Sequence, residues 1–149
     1  MPEPRIVYTD GACLNNPGPG GWAWAESPGR YESGCEPATT NQRMELTAVL
    51  RALEANPGHL RVVSDSTYVV NCFKQRWWAG WRARGWVNAK REPVANQDLW
   101  RPLIEQVVDL RKGEVELAWV KGHAGDRMNE LVDRLATEAA RSQHGCSSA

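Results

Sequence analysis

Two short apolar runs that end in aspartate, RIVYTD and LRVVSD, are separated by a segment that contains one long helical pattern. In TTNQRMELTAVLRALEANPG, Leu46, Val49, Leu50 and Leu53 recur at the spacing of one helix face, and Asn56-Pro57-Gly58 stops the helix. A helix returning the chain to a second strand makes a right-handed crossover and sets the two strands parallel. Side chains alternate along a strand, so Asp10 shares a face with Ile6 and Tyr8. Asp65 ends LRVVS in the same way. Both aspartates should then emerge at the carboxyl edge of a parallel pair, the edge that ligands favour.

The remaining elements complete an α/β chain. Arg5–Ala12 reads as the first strand, GPGG as a turn, and Trp22–Glu26 and Arg30–Cys35 as the next two strands. Short links between them imply an antiparallel three-strand meander. Ser66–Phe73 reads as a short helix, Asn96 or Gln97 to Leu110 as a longer one, and Glu114–Val120 as the last strand. Asp126–Arg141 reads as the final helix, with Met128, Val132, Leu135 and Ala139 as its apolar stripe. The order predicts a mixed five-stranded sheet, the first strand central and helices on both faces. One domain over residues 1–141 is expected, followed by a disordered tail at 142–149.

Composition narrows the class. No apolar run approaches the length of a membrane span and no signal peptide is visible. Cys13, Cys35, Cys72 and Cys146 lack CxxC spacing, which argues against zinc and fits free thiols in a reducing cytoplasm. A monomer is expected. The formal net charge is zero, yet residues 71–101 carry +5 and five of the eight tryptophans, leaving −5 elsewhere. Basic charge interleaved with flat rings suits a nucleic-acid backbone. The plainer alternative is a solvated basic helix whose tryptophans pack inward.

Four acids sit beside apolar neighbours: Asp10, Glu45, Asp65 and Asp133. Singly, each has a structural explanation. Asp65 stands where a helix N-cap would, and Glu45 has Arg43 and Arg51 for partners. Together they repel, and burial adds desolvation. No lysine or arginine lies within two residues of Asp10 or Asp65. Carboxylates have the hardness and charge to hold Mg²⁺ or Mn²⁺. Two such ions can flank a phosphodiester, one activating water and the other stabilising the leaving oxygen.

The segments YTDGACLNNPGPGGW, TTNQRMELTAVLRALE, VVSDSTYV, WWAGWRARGWVNAKREPVANQDLW and WVKGHAGDRMNELVDRLA, in that order, resemble the type 1 ribonuclease H family in its bacterial form. The resemblance runs from about Arg5 to Ala140. It implies a ribonuclease H-like fold and an endonuclease that cuts the RNA strand of an RNA/DNA hybrid by two-metal-ion catalysis with Mg²⁺, leaving 5′-phosphate and 3′-hydroxyl ends. It places the metal ligands at Asp10, Glu45, Asp65 and Asp133, and a proton-shuttling or product-releasing histidine at His123. His59 and His144 are given no role.

The resemblance also implies substrate readers. Cys13 and Asn16, with Asn41 and Gln42, belong near the RNA minor groove, where the 2′-hydroxyl separates RNA from DNA. Trp77 and Trp81 belong to the wall of the DNA channel, Arg84 to the basic protrusion at about residues 74–95, and Thr40 and Asn96 to a DNA-phosphate pocket. Trp86 and Trp100 read as protrusion core. Ala38 stands where relatives often place an arginine of that pocket, and Thr67 where they often have glutamine. The competing readings are an inactive hybrid-binding module and a related DNA-processing nuclease of the same fold.

Overall fold

The computed structural model describes residues 3–26, 29–121 and 127–148. The crossover forms as the periodicity requires. Strand β1 (Arg5–Cys13) is followed by β2 (Gly18–Glu26) and β3 (Tyr31–Thr39), then helix α1 (Asn41–Ala55) returns the chain to β4 (Leu60–Ser64) beside β1. Helices α2 (Thr67–Lys74), α3 (Trp77–Ala83) and α4 (Gln97–Ile104) precede strand β5 (Val115–Trp119), and α5 (Arg127–Ser142) closes the fold. The sheet runs β3-β2-β1-β4-β5, so β1 is central. It pairs antiparallel with β2 and parallel with β4, with Tyr8 opposite Val63. Asp10 and Asp65 each lie two residues beyond that pair and so leave the sheet at one level.

Alternation along β2 divides the core. Trp22 and Trp24 face a large apolar cluster with Met44, Leu46, Val49 and Leu53 of α1 and Trp100, Leu103 and Ile104 of α4. Ala23 and Ala25 face the other side, against Val132 and Ala136 of α5. The buried face of α5 is Asn129, Val132, Ala136, Ala139 and Ala140, which shifts the expected stripe, because Met128 and Leu135 are half-buried at its border. The reason is close approach: a Cβ at Gly21 would stand 2.3 Å from the Ala136 carbonyl oxygen. Only small residues fit that seam.

Four expectations are corrected. GPGG is not the turn: β2 already starts at Gly18, and the chain reverses over residues 14–17, with the Leu14 N–H donating to the Pro19 carbonyl at 2.8 Å. The helix expected to run through Leu110 is α-helical only to Ile104 and widens into a π-helical stretch over Glu105–Leu110. Asp65 is not an N-cap; the Ser66 hydroxyl takes that role, accepting from the Val69 N–H at 3.2 Å. The tail is not loose over its described part. It lies along the edge strand β3, where the Ser33 N–H donates to the Cys146 carbonyl at 2.7 Å and the Ser148 N–H to the Tyr31 carbonyl at 2.9 Å. An unpaired edge invites other strands, and this pairing covers part of it.

Helix α1 is anchored at both ends. The Thr40 hydroxyl caps its start, accepting from the Arg43 N–H at 3.2 Å. At its end, the Arg111 guanidinium donates to the Leu53 and Asn56 carbonyls at 2.9 and 2.8 Å. Helix-terminal groups that would otherwise lack partners are thereby satisfied. Among the described residues, no helix is long and apolar enough to cross a membrane.

Candidate active site

The carboxyl edge of the β1–β4 pair opens into a cleft of about 450 Å³ lined by Asp10, Gly11, Asn41, Gln42, Glu45, Asp65, Ser66, Thr67, Tyr68 and Asp133. Four elements thus deliver the four expected acids to one place. Asp10 comes from β1, Glu45 from α1, Asp65 from the β4–α2 junction and Asp133 from α5. One carboxylate oxygen from each of Asp10, Glu45 and Asp65 lies within 4.8 Å of the others. Asp133 stands farther out on the same wall, near enough for its charge to disfavour ionisation of Asp10.

Burial makes this cluster unusual. Asp10 is 3% exposed and Glu45 5% exposed. Helix α1 approaches β1 so closely that a Cβ at Gly11 would stand 2.4 Å from the backbone nitrogen of Glu45. The same glycine N–H donates to Asp10 Oδ1 at 2.9 Å and to Glu45 Oε1 at 3.1 Å, fixing both carboxyl groups from one donor. Burial pushes the Asp10 carboxyl up to about 7, with the charges of Asp65 and Asp133 adding to it. Burial, then the neighbouring charge of Asp10, holds Glu45 well above the usual carboxylate range. Neither Arg43 nor Arg51 pairs with Glu45; they pair with Asp98 and Glu54.

A divalent cation fits this chemistry. Glu45 Oε2 is buried and accepts no hydrogen bond, and without a cation the Asp10–Glu45 pair is held together only by a shared proton. All the clustered ligand atoms are carboxylate oxygens, the donor type that Mg²⁺ and Mn²⁺ take.

Of the expected substrate readers, Asn41 and Gln42 line the cleft itself. The Asn41 N–H donates to Asn16 Oδ1 at 3.0 Å, tying the β1–β2 turn to the start of α1 beside exposed Gln42. Cys13 sits at the base of that turn, its sulfur 3.4 Å from the Thr39 carbonyl oxygen. Thr40 and Asn96 are joined through Arg43, whose backbone N–H reaches Thr40 and whose guanidinium lies 3.3 Å from Asn96 Oδ1. The tryptophans divide between the two readings of the basic segment. Trp81 is half-buried with its ring 5.4 Å from that of fully buried Trp100, and Trp77 and Trp86 lie 6.3 Å on either side of it. Inward packing therefore accounts for much of their surface, while Lys90 and Arg91 stay exposed and Arg84 folds back to donate to the Val87 carbonyl at 3.1 Å. His123 lies outside the described residues.

Residue-by-residue reading missed Tyr68 and the Arg43–Asp98 pair. The Tyr68 hydroxyl accepts from Asn96 Nδ2 at 3.3 Å and from Trp100 Nε1 at 2.8 Å, so it links the acidic cleft to the Thr40–Asn96 region. Its place directly after Asp65-Ser66-Thr67 was the available signal.

Comparison with known proteins agrees with this geometry. The RNase H family model matches residues 2–141. A ribonuclease H of Syntrophomonas wolfei is 50% identical over 143 residues, covering 92% of this chain and 96% of that protein. A ribonuclease H of Erythrobacter litoralis is 50% identical over 139 residues, covering 90% and 94%. The crystal structure of LC9-RNase H1, described as a type 1 RNase H with the type 2 active-site motif, superposes with a TM-score of 0.74 at 34% identity, covering 97% of this chain and 76% of that one. A foamy viral protease-reverse transcriptase in complex with dsDNA shares the fold at a TM-score of 0.79 and 23% identity, covering 93% and 94%.

Proposed function

The chain belongs to the RNase H family and is a ribonuclease H; we propose that its acidic cleft is where the RNA strand of an RNA/DNA hybrid is hydrolysed. The observation that carries this reading is the convergence of Asp10, Glu45 and Asp65 in a buried cluster with an orphaned Glu45 oxygen. Clustered negative charge beside phosphates gains nothing for binding alone.

Asp10, Glu45 and Asp65 would hold divalent ions, with Asp133 completing the set from α5. Two Mg²⁺ ions, with Mn²⁺ as a substitute, supply charge neutralisation and polarise the phosphodiester and its attacking water when bound. The protein's own part is orientation. Gly11 aims Asp10 and Glu45, and packing of α1 against β1 keeps them in place. Asn16, Asn41 and Gln42 read the RNA side with Cys13, and His123 moves a proton or assists release of the 5′-phosphate product. Thr40 and Asn96 meet a DNA phosphate, and the basic protrusion with Trp77, Trp81 and Arg84 holds the DNA strand. The exposed cations compensate for a cleft that would otherwise repel the backbone.

Incubating the protein and Mg²⁺ with a labelled RNA/DNA hybrid, the matching RNA duplex and the matching DNA duplex tests this. Only the hybrid's RNA strand is expected to be cut, with 5′-phosphate and 3′-hydroxyl ends, and chelator should stop the reaction. Cleavage of the DNA duplex instead would favour the DNA-processing reading, and hybrid binding without cleavage would favour the inactive module.

A further inference from the structure

The start of α1 carries a cation whose function the acidic cleft does not explain. Arg43 extends its guanidinium to Asp98 at 2.9 and 2.7 Å and to Asn96 Oδ1 at 3.3 Å. Asp98 is 63% exposed, so this carboxylate has solvent as an alternative to the pair. The pair is bidentate, the one surface geometry that does contribute, yet both partners stay in contact with solvent and with any anion that arrives there. The first turn of α1 contains no acid, so the positive end of its dipole favours an anion nearby, although its Asn41 and Arg43 N–H groups already donate to Asn16 Oδ1 and the Thr40 hydroxyl. Beside Arg43 lies a polar cavity of about 180 Å³ walled by Glu36, Ala38, Thr39, Arg43 and Arg51, among others. Thr39 is 7% exposed, and its hydroxyl oxygen has no hydrogen-bond partner. Two guanidinium groups, an orphaned hydroxyl and one carboxylate, Glu36, therefore border the space beside position 38.

We infer that Arg43 is a phosphate ligand for the DNA strand, latched to Asp98 in the free protein, and that it supplies the guanidinium this chain lacks at position 38. The inference rests on the proposed reading of Thr40 and Asn96 as facing a DNA phosphate. Its geometry is the chain Thr40–Arg43–Asn96–Tyr68, which runs from the cap of α1 to the wall of the acidic cleft. A phosphate arriving there exchanges with the Asp98 carboxylate for the same planar fork, which binds either anion in a bidentate manner.

The competing role is a tether that merely joins α4 to α1. The two roles differ in sign. Both Arg43→Gln and Asp98→Asn break the ion pair, so a tether predicts that both weaken hybrid binding. A latched ligand predicts opposite effects, because removing Asp98 frees the guanidinium and removes a repelling charge. Binding is read by anisotropy of a labelled hybrid in an Asp10→Asn background, which prevents cleavage. Arg43→Gln should weaken binding about tenfold and make the salt slope shallower by about 0.9. Asp98→Asn should tighten binding by about threefold, and Ala38→Arg added to Arg43→Gln should restore most of the loss. Equal weakening by both variants, or no change in either, would overturn the inference and leave the nuclease reading standing. Failure of the parental chain to bind hybrid would sink both. Should Arg43→Gln fold poorly, the sign of the Asp98→Asn effect decides alone.

Discussion

Asp10→Asn loses turnover by about 10³-fold or more on an RNA/DNA hybrid while hybrid affinity stays within about threefold. Asparagine keeps the size and one acceptor of the side chain, but not the charge that a divalent ion requires. The same variant should be more stable than the parent when both are metal-free near neutral pH. The sign follows from Asp10, whose carboxyl is raised from an ordinary 3.8 to about 7. Below the lower value the group is protonated in folded and unfolded chains alike. As pH rises from 3.8 to about 7, the unfolded chain ionises while the folded chain retains its proton, so stability falls through that window and then levels off. Asparagine removes the fall. A gain of about 1–3 kcal/mol, or roughly 3–10 °C in melting temperature, is expected above that window. Thermal unfolding with chelator, followed across pH, measures it. A variant that melts lower than the parent at every pH would make Asp10 a structural residue.

Gly11→Ala should damage stability and chemistry together. The added Cβ would meet the Glu45 nitrogen at 2.4 Å and the Met44 carbonyl carbon at 2.5 Å, both backbone atoms that cannot rotate away. Helix α1 must then move off β1. Overpacking that shifts a backbone costs about 3 kcal/mol here, or roughly 6–12 °C of melting temperature. A displacement of Glu45 by about 1 Å should lower turnover by about 10²-fold in the molecules that remain folded. Calorimetry and saturating-substrate kinetics on the purified variant test both. Parent-like values in each would mean that α1 does not press on the cluster.

The strand–helix–strand unit was legible because its periodicity changes from 2 to 3.6 and back, and that alone places Asp10 and Asp65 at one edge. Glu45 was legible only as a border residue of its helix; its burial follows from Gly11, whose missing side chain admits the helix. The glycines in GPGG misled for a related reason. They read as turn residues, but Gly20 and Gly21 lie in a strand because Met44 on one face and Ala136 on the other leave no room for a Cβ. The stripe of α5 shifted towards its alanines through the same close contact. Asp65 looked like a cap because the serine after it competes for that role on equal terms in sequence. The Arg43–Asp98 pair joins residues 55 positions apart and could not be found from local pattern. Tail pairing with β3 also depends on an edge visible only after the sheet has formed.

The physical core of the account is that Asp10 and Glu45 give up protons when a divalent ion arrives. Calorimetric titration of Mg²⁺ into the metal-free protein at pH about 7, in two buffers of different protonation enthalpy, tests this directly. The predicted result is binding whose heat depends on the buffer, with release of about one proton per chain, lost in Asp10→Asn. Buffer-independent heat, or the same binding in Asp10→Asn, would contradict it.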